Sequence, residues 1–201
     1  MVLSKVLAAL FPTRCAGCGT IGVALCAACL PPPRRSRPLM VADFEVRAIG
    51  RYCGPLRRAI LSYKRGRRDI GDALSSLFEE RLSAGLDPGI VLVPVPTVAR
   101  RRRERGFDQS VRLAKRLGER SQRPVLLALR QVAGDAQRGR SRRARLSAVG
   151  RFACEAPALV CGARVVLVDD VVTTGATLAD AARALVACGA HIEHAIVLAY
   201  A

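Results

Sequence analysis

The sequence has no tryptophan, and aromatic residues make up only 4% of its 201 positions. A core must therefore be filled by Ala, Val and Leu, and an apolar content of 51% is enough for a packed fold rather than disorder. Histidine occurs twice. His191 and His194 are three apart in an apolar stretch, a spacing that puts them on opposite faces of a strand and excludes a histidine metal pair there. Acid is also scarce. Sixteen Asp and Glu face 33 Lys and Arg, three of them Lys, for a formal charge of +17. Codon bias explains the choice of Arg over Lys better than it explains the shortage of acids. A field of this sign concentrates anions, so nucleic acid, polyphosphate and anionic sugars are the partner classes it favours. Long apolar runs are missing as well. Val2–Phe11 is short, carries Lys5 and lacks a small-residue cleavage site, and it falls far below the ~20 residues of a membrane span. It reads as a short amphipathic helix ending at Pro12 of a cytoplasmic protein, whose thiols stay reduced unless they hold metal.

Eight cysteines are present, four of them within fifteen residues as C-x2-C-x7-C-x2-C: Cys15, Cys18, Cys26 and Cys29. Two residues between thiols let one tight turn aim both sulfurs at one ion, and two such knuckles complete a tetrahedral set. Gly17, Gly19 and Gly22 permit those turns. The pattern predicts a compact, structural Zn²⁺ site without an open coordination position; two disulfides would require an exported protein. Cys53, Cys154, Cys161 and Cys188 have no metal-type spacing and read as small buried hydrophobes. Pro31–Pro33 followed by Arg34, Arg35 and Arg37 makes a stiff charged linker. The division expected is thus a four-cysteine zinc-binding segment and linker over 1–40 and a second domain over 41–201.

From Phe44 onward the pattern is α/β. Strands are expected at Phe44–Tyr52, Ile90–Val95, Val125–Leu129, Arg164–Val168 and Ile192–Ala199. Helices are expected at Pro55–Ser62, Arg67–Leu82, Ser110–Arg120 and Leu178–Ala187. Strands alternating with helices imply a parallel sheet with right-handed crossovers.

One run carries chemistry: Val165-Val-Leu-Val-Asp169-Asp170-Val171-Val172-Thr173-Thr174-Gly175-Ala176-Thr177. A central strand ends in two carboxylates, and a small hydroxyl-rich loop then opens a helix. Ligands of open α/β sheets bind at such strand ends. The Thr hydroxyls, the backbone at Gly175 and the positive end of the following helix form a phosphate cradle. It is not the G-x-x-x-x-G-K-[ST] loop, since it has no Lys and acids precede it. Carboxylates repel phosphate but accept hydrogen bonds from vicinal ribose hydroxyls, directly or through Mg²⁺, so a sugar is expected beside the phosphate. Both acids can serve one ligand only if the chain is leaving the strand there.

Asp169–Thr177 resembles the phosphoribosyl-pyrophosphate (PRPP) motif of type I phosphoribosyltransferases, and the whole chain resembles the ComF family. The supporting residues are Leu10-Phe-Pro12, Tyr63-Lys64-Arg65-Gly66, Val93-Pro-Val-Pro96, Arg105-Gly-Phe-Asp-Gln109, and a Gln137…Arg145 segment before Phe152. The resemblance implies a type I phosphoribosyltransferase-like twisted parallel sheet flanked by helices, with a small N-terminal zinc-binding module. It implies that Asp169 and Asp170 meet ribose and Mg²⁺, that Thr173–Thr177 contacts the 5′-phosphate within a PRPP-binding run that also takes in Val171 and Val172, and that the protein serves DNA uptake in competence. Three positions depart from the family's usual residues: Arg140 for Leu, Ala148 for Asn, and Asp108 for the Asn of Arg-Gly-Phe-Asn-Gln.

Two arginine segments remain, Arg100–Arg105 and Arg138–Arg145, in loops that this topology puts at the ligand-binding edge. One reading is a lid, with Arg145 or Arg142 stabilising the leaving pyrophosphate. Another is a single-stranded DNA track of Arg101, Arg102, Arg103 and Arg105 with Phe107 as a stacking partner. A solvated loop is the third. At the level of the whole protein the readings are a Mg²⁺-dependent phosphoribosyl transfer, a non-catalytic single-strand binder that senses PRPP, or a PRPP-responsive regulator. The last lacks a helix-turn-helix pattern.

Overall fold

The computed structural model describes residues 12–32, 39–83, 86–97, 107–132 and 150–201. The 2–11 stretch lies outside them, as do Arg101, Arg102, Arg103, Arg105, Arg142 and Arg145.

Apolar runs between turn residues form β1 (Leu39–Val41), β2 (Phe44–Arg51), β3 (Ile90–Pro94), β4 (Leu129–Gln131), β5 (Phe152–Cys154), β6 (Arg164–Val172) and β7 (His191–Tyr200). The helices are α1 (Gly54–Lys64), α2 (Arg68–Leu82), α3 (Gln109–Ser121), the single turn α4 (Pro157–Val160) and α5 (Ala176–Val186). Helix α1 carries Pro55 in its first turn, where the missing N–H costs nothing, and stops before Gly66 at φ 97°. Gln122 ends α3 in the left-handed region.

The main sheet has the order β1-β2-β7-β6-β3. Its last four strands are parallel, as expected, and the short β1 is an antiparallel edge. Alternation along the central strands sorts side chains into two cores. Val166, Val168, Ile196 and Leu198 face Ile60, Leu74, Phe78 and Leu113 of the first three helices. Val165, Leu167, Ala195 and Val197 face Leu178, Ala181 and Leu185 of α5 and Phe152 of β5. Each of these large side chains contributes roughly 1.5–3 kcal/mol by burial. Helices thus cover both faces of a mostly parallel sheet.

Two expectations change. Val125–Leu129 is not a full strand. Only Val125 bridges Leu92, flanked by Leu92 N–H to Pro124 C=O and Leu126 N–H to Leu92 C=O, each 2.9 Å. The chain then turns away, and Leu129 begins a separate antiparallel ribbon in which Leu129, Arg130 and Gln131 pair with Cys154, Ala153 and Phe152. Strand β6 also runs past Val168 to Val172, with Asp169 and Asp170 inside it. Its partner β3 stops at Pro94, so beyond Val168 only β7 flanks it and one edge opens toward the site.

The cysteine segment packs on the first helices. Arg58 Nε donates to Gly17 C=O at 2.7 Å, Arg67 donates to Arg14 C=O at 3.0 Å, and Ala16, Ala24, Leu25 and Leu30 rest on the α1–α3 core. Among the described residues no helix is long and apolar enough to cross a membrane.

Candidate functional site

The phosphate-cradle residues occupy the carboxyl end of β6 and the turn into α5. Alternation slips there. Val168 packs toward the α1–α3 side, but so does Val171, while Val172 returns to the α5 side. That slip lets Asp169 and Asp170 line one cavity of about 280 Å³ with Lys64, Thr97, Arg151 and Thr177. The acids share a ligand site because strand alternation fails, although hydrogen bonding continues through Val172.

The acids are not equivalent. Asp170 is paired with the Lys64 ammonium at 2.7 Å. Asp169 accepts the Asp170 N–H at 2.7 Å, and its carboxyl lies deep. Burial first, and the Asp170 carboxylate second, push Asp169 well above the usual carboxylate range. Two neighbouring carboxylates with one lysine, on Asp170, are short of positive charge. They suit a hard divalent cation with oxygen ligands, so the residues fit Mg²⁺.

Thr173 and Thr174 are exposed and Gly175 is buried. Gly175 sits at φ 77°, and a Cβ on it would lie 2.5 Å from Val41 Cγ2. The glycine is therefore required by the left-handed turn and by the approach of β1, besides leaving the loop amides bare. Helix α5 has no side-chain N-cap; the Thr174 hydroxyl accepts from Ala176 N–H at 3.4 Å, and no acid stands in its first turn. An uncapped, acid-free helix start is suited to an anion.

Helix α3 is the opposite case. Asp108 accepts from Val111 N–H at 3.4 Å and from Thr97 N–H at 2.8 Å, and the Ser110 hydroxyl lies 2.7 Å away. Asp108 thus caps α3 and ties it to the end of β3. At the position where the family resemblance has an Asn, this carboxylate is engaged with backbone.

Phe107 is half-buried. Its ring centroid is 5.5 Å from that of Tyr63, and the Arg112 guanidinium lies 5.9 Å from it and 6.0 Å from Tyr63. A base stacking there would have only the remaining surface of the ring.

Sequence reasoning missed Lys64, Arg151, Gln131 and Thr97 as lining groups. For Lys64 a signal existed, since Tyr63-Lys64-Arg65-Gly66 stands out as a motif between two helices. Arg151 immediately precedes β5 and pairs with Asp180 of α5 at 2.8 Å, which links the β4–β5 ribbon to the helix that follows the phosphate loop.

The second candidate site is the cysteine cluster. The sulfurs of Cys15, Cys18, Cys26 and Cys29 all lie within 4.8 Å of one another, and Cys18 and Cys26 are 3.6 Å apart. Cys15 Sγ accepts N–H bonds from Gly17 and Cys26, both at 3.3 Å. Burial pushes the Cys15 thiol up, but the backbone donors of Cys26, Cys18 and Gly17 outweigh it and bring it down to about 6. Burial and the neighbouring thiols push Cys29 up to about 12. Gly17 is needed because a Cβ there would stand 2.5 Å from Cys29 Sγ. Four converging thiols with backbone donors to sulfur fit a metal such as zinc. The other site residues expected from sequence, Arg145 and the Arg101–Arg105 group, lie outside the described residues.

Residues 92–201 match the family described as phosphoribosyl transferase domain. The chain is 36% identical over 191 residues to the DNA utilization protein YhgH of Escherichia coli (strain K12), covering 89% of this chain and 80% of that protein. It is 32% identical over 145 residues to the competence protein ComFC of Bacillus subtilis (strain 168), covering 71% of this chain and 58% of that relative's length. A solved allosteric regulatory enzyme of purine biosynthesis superposes at a TM-score of 0.49 and 21% identity, over 69% of this chain and 30% of that one. On the sequence relatives and the domain match, the chain belongs to the ComF family and carries a phosphoribosyl transferase domain.

Proposed function

We propose that the chain binds PRPP with Mg²⁺ at the β6–α5 turn and transfers its phosphoribosyl group to a nucleophile, releasing pyrophosphate, in a process that uses incoming DNA. The observation that carries this reading is the convergence of Asp169, Asp170, Lys64 and Thr177 on one polar cavity beside the uncapped start of α5. In it, the amides and hydroxyls from Val171 to Thr177 hold the 5′-phosphate against the helix terminus. Asp169 and Asp170 accept the ribose hydroxyls and would hold the Mg²⁺. A bound Mg²⁺ there would supply charge neutralisation to the departing pyrophosphate. Lys64 and Arg151 supply fixed positive charge to the same cavity, and Arg145 is assigned to the leaving pyrophosphate. The chain's contribution is positioning and electrostatics rather than covalent catalysis.

Calorimetry with PRPP and Mg²⁺, followed by pyrophosphate release across a panel of bases, tests the reading. Asp170→Ala is expected to weaken PRPP more than inorganic phosphate, because only PRPP offers ribose hydroxyls and a pyrophosphate. Equal losses for both ligands would contradict the roles assigned.

The cysteine cluster is assigned to one structural Zn²⁺, since a closed four-thiolate set leaves no position for substrate.

A second reading is favoured by the charge of +17 and by relatives named for DNA utilization and competence. Here the chain binds single-stranded DNA and PRPP tunes that binding, without transfer. Affinity would then fall with salt by a slope of about −0.7 per phosphate neutralised. Replacing Arg101, Arg102 and Arg103 with Ala would reduce the slope by roughly two at that rate. A slope untouched by the triple substitution removes the track. PRPP-dependent binding to duplex rather than single strands would instead favour a regulator.

A further inference from the structure

A second cavity, of about 420 Å³, lies where the cysteine segment meets the sheet. It is lined by Leu30 and Pro31 from the cysteine side and by Ile49, Arg51, Leu56 and Tyr200 from the sheet and α1. It shares no lining residue with the phosphate cavity. Gly50 keeps it open, because a Cβ there would stand 3.0 Å from Pro31 Cβ and 3.4 Å from Leu56 Cδ2.

The two cavities are neighbours along one edge of the sheet. Arg51 ends β2 and Tyr200 ends β7, and the two are in register. Tyr200 is also in register with Val172, the last residue of β6 before the phosphate loop. Adjacent strands are roughly 4.8 Å apart, so two strand spacings separate Arg51 from the start of that loop. The face is shared as well. Ile49 and Leu56 belong to the α1–α3 core, on which Val171 of the phosphate cavity also packs.

The lining selects a class of ligand. It is mostly apolar, with an aromatic side chain at Tyr200, one guanidinium at Arg51 and, among the described residues, no carboxylate. Apolar walls with few polar groups are the make-up of small-molecule sites. Such walls suit the faces of a flat ring. A guanidinium only donates hydrogen bonds, so it matches an oxo group on that ring and not an amino group. We propose that this cavity is a nucleobase pocket that takes an oxo-bearing base, with the cysteine segment as one of its walls. The proposal rests on the transfer reading only where it names the acceptor class for it. A base of a single DNA strand presents the same edge and serves the second reading equally.

Saturation-transfer NMR on the full chain, with hypoxanthine and adenine as probes, tests this. The two purines differ at position 6, oxo against amino. Hypoxanthine is expected to bind without PRPP, and adenine roughly tenfold more weakly, the worth of one charge-assisted hydrogen bond. Arg51→Gln should erase that preference; Arg51 is exposed at a strand end, so its replacement spares the core. Gly50→Val should abolish both signals by filling the space before Pro31. Calorimetry should show inorganic phosphate binding unchanged in either variant. Cys26→Ser with Cys29→Ser should lose hypoxanthine while keeping phosphate. A deoxyinosine tetramer that displaces hypoxanthine identifies a strand as the source of the base, and one that does not identifies the free base. No saturation of either purine in a chain that binds phosphate would overturn the pocket, as would hypoxanthine binding untouched by Gly50→Val. Hypoxanthine retained by the cysteine double variant would overturn the wall. A chain that binds hypoxanthine and not PRPP would remove the transfer reading and leave the pocket standing. Should Gly50→Val fail to fold, Arg51→Gln decides: a preference for hypoxanthine that survives it overturns the proposal.

Discussion

The Lys64 ammonium lies 2.7 Å from the Asp170 carboxylate, with 19% and 17% of their side chains exposed. This contact joins the last turn of α1 to the open edge of β6 and sets the charge of the cavity. Removing one partner leaves the other largely dehydrated and unpaired, which costs more than the pair itself contributes. Lys64→Met and Asp170→Asn should each destabilise the ligand-free chain by about 1–3 kcal/mol in urea unfolding. The double variant should lose at least ~1 kcal/mol less than the sum. Strict additivity would mean that the two groups behave like a surface pair.

Metal analysis should return one Zn²⁺ per chain. Cys26→Ser with Cys29→Ser should abolish it, since two thiolates cannot hold the ion against water. The loss should also reach α1, because Gly17 C=O is held by Arg58 and the Gly17 turn is packed on Cys29 and Pro55. Amide exchange in α1 is the measurement that reports it. Zinc retained in the double variant would refute the assignment.

Asp169 gives a pH signature. Its carboxyl is held well above the usual carboxylate range in the folded chain, so the unfolded chain releases that proton first as pH rises from acid. Stability is then lost from about pH 3.9, the unfolded value, up to the raised folded value, and the deficit stays constant above it. Asp169→Asn should therefore be more stable than the parent at pH 7, with the gap closing toward pH 3. It should lose PRPP binding at the same time, because an amide cannot replace a carboxylate toward Mg²⁺. A variant less stable than its parent at neutral pH would show that the carboxylate is satisfied in the fold.

How far the sequence could be read depends on how local each feature is. The Asp169–Thr177 run is contiguous, so its residues alone indicate a strand, acids, a phosphate turn and a helix start. Cys15–Cys29 is equally local. Lys64 belongs to the site only because α1 ends over β6, a relationship created by tertiary packing. The role of Gly175 is partly nonlocal too, since Val41 comes from the antiparallel edge strand that no periodicity revealed. The β4–β5 ribbon is three residues per strand, too short to show alternation, and Pro124 with its missing N–H disguises where the preceding bridge ends. Cys161 and Cys188 look like isolated small hydrophobes because their turns, joined by Gly162 N–H to Gly189 C=O, lie in separate crossovers.

His194 offers a check on the core of the sheet, away from the phosphate loop. It is buried in β7, between Glu45 of β2 and Val166 of β6 in register, and its Nε2 has no hydrogen-bond partner among the described residues. Burial above all, and then the Arg47 guanidinium, press its pKa down to about 4; Glu45, Glu193 and Asp87 pull weakly the other way. The folded chain therefore keeps a neutral imidazole where the unfolded chain takes up a proton near pH 6.5. The stability this provides is complete above about pH 6.5 and is lost as pH falls toward the folded value of about 4. The loss is on the order of 3 kcal/mol at the acid end of that window. His194→Leu removes the titrating group and the orphaned nitrogen together. Urea midpoints taken from pH 7.5 to 4.5 should thus fall less steeply in His194→Leu than in the parent, and the curves should run parallel above pH 7. Parallel curves through the whole range would mean that His194 is hydrated in the fold and that β7 is not sealed at this point.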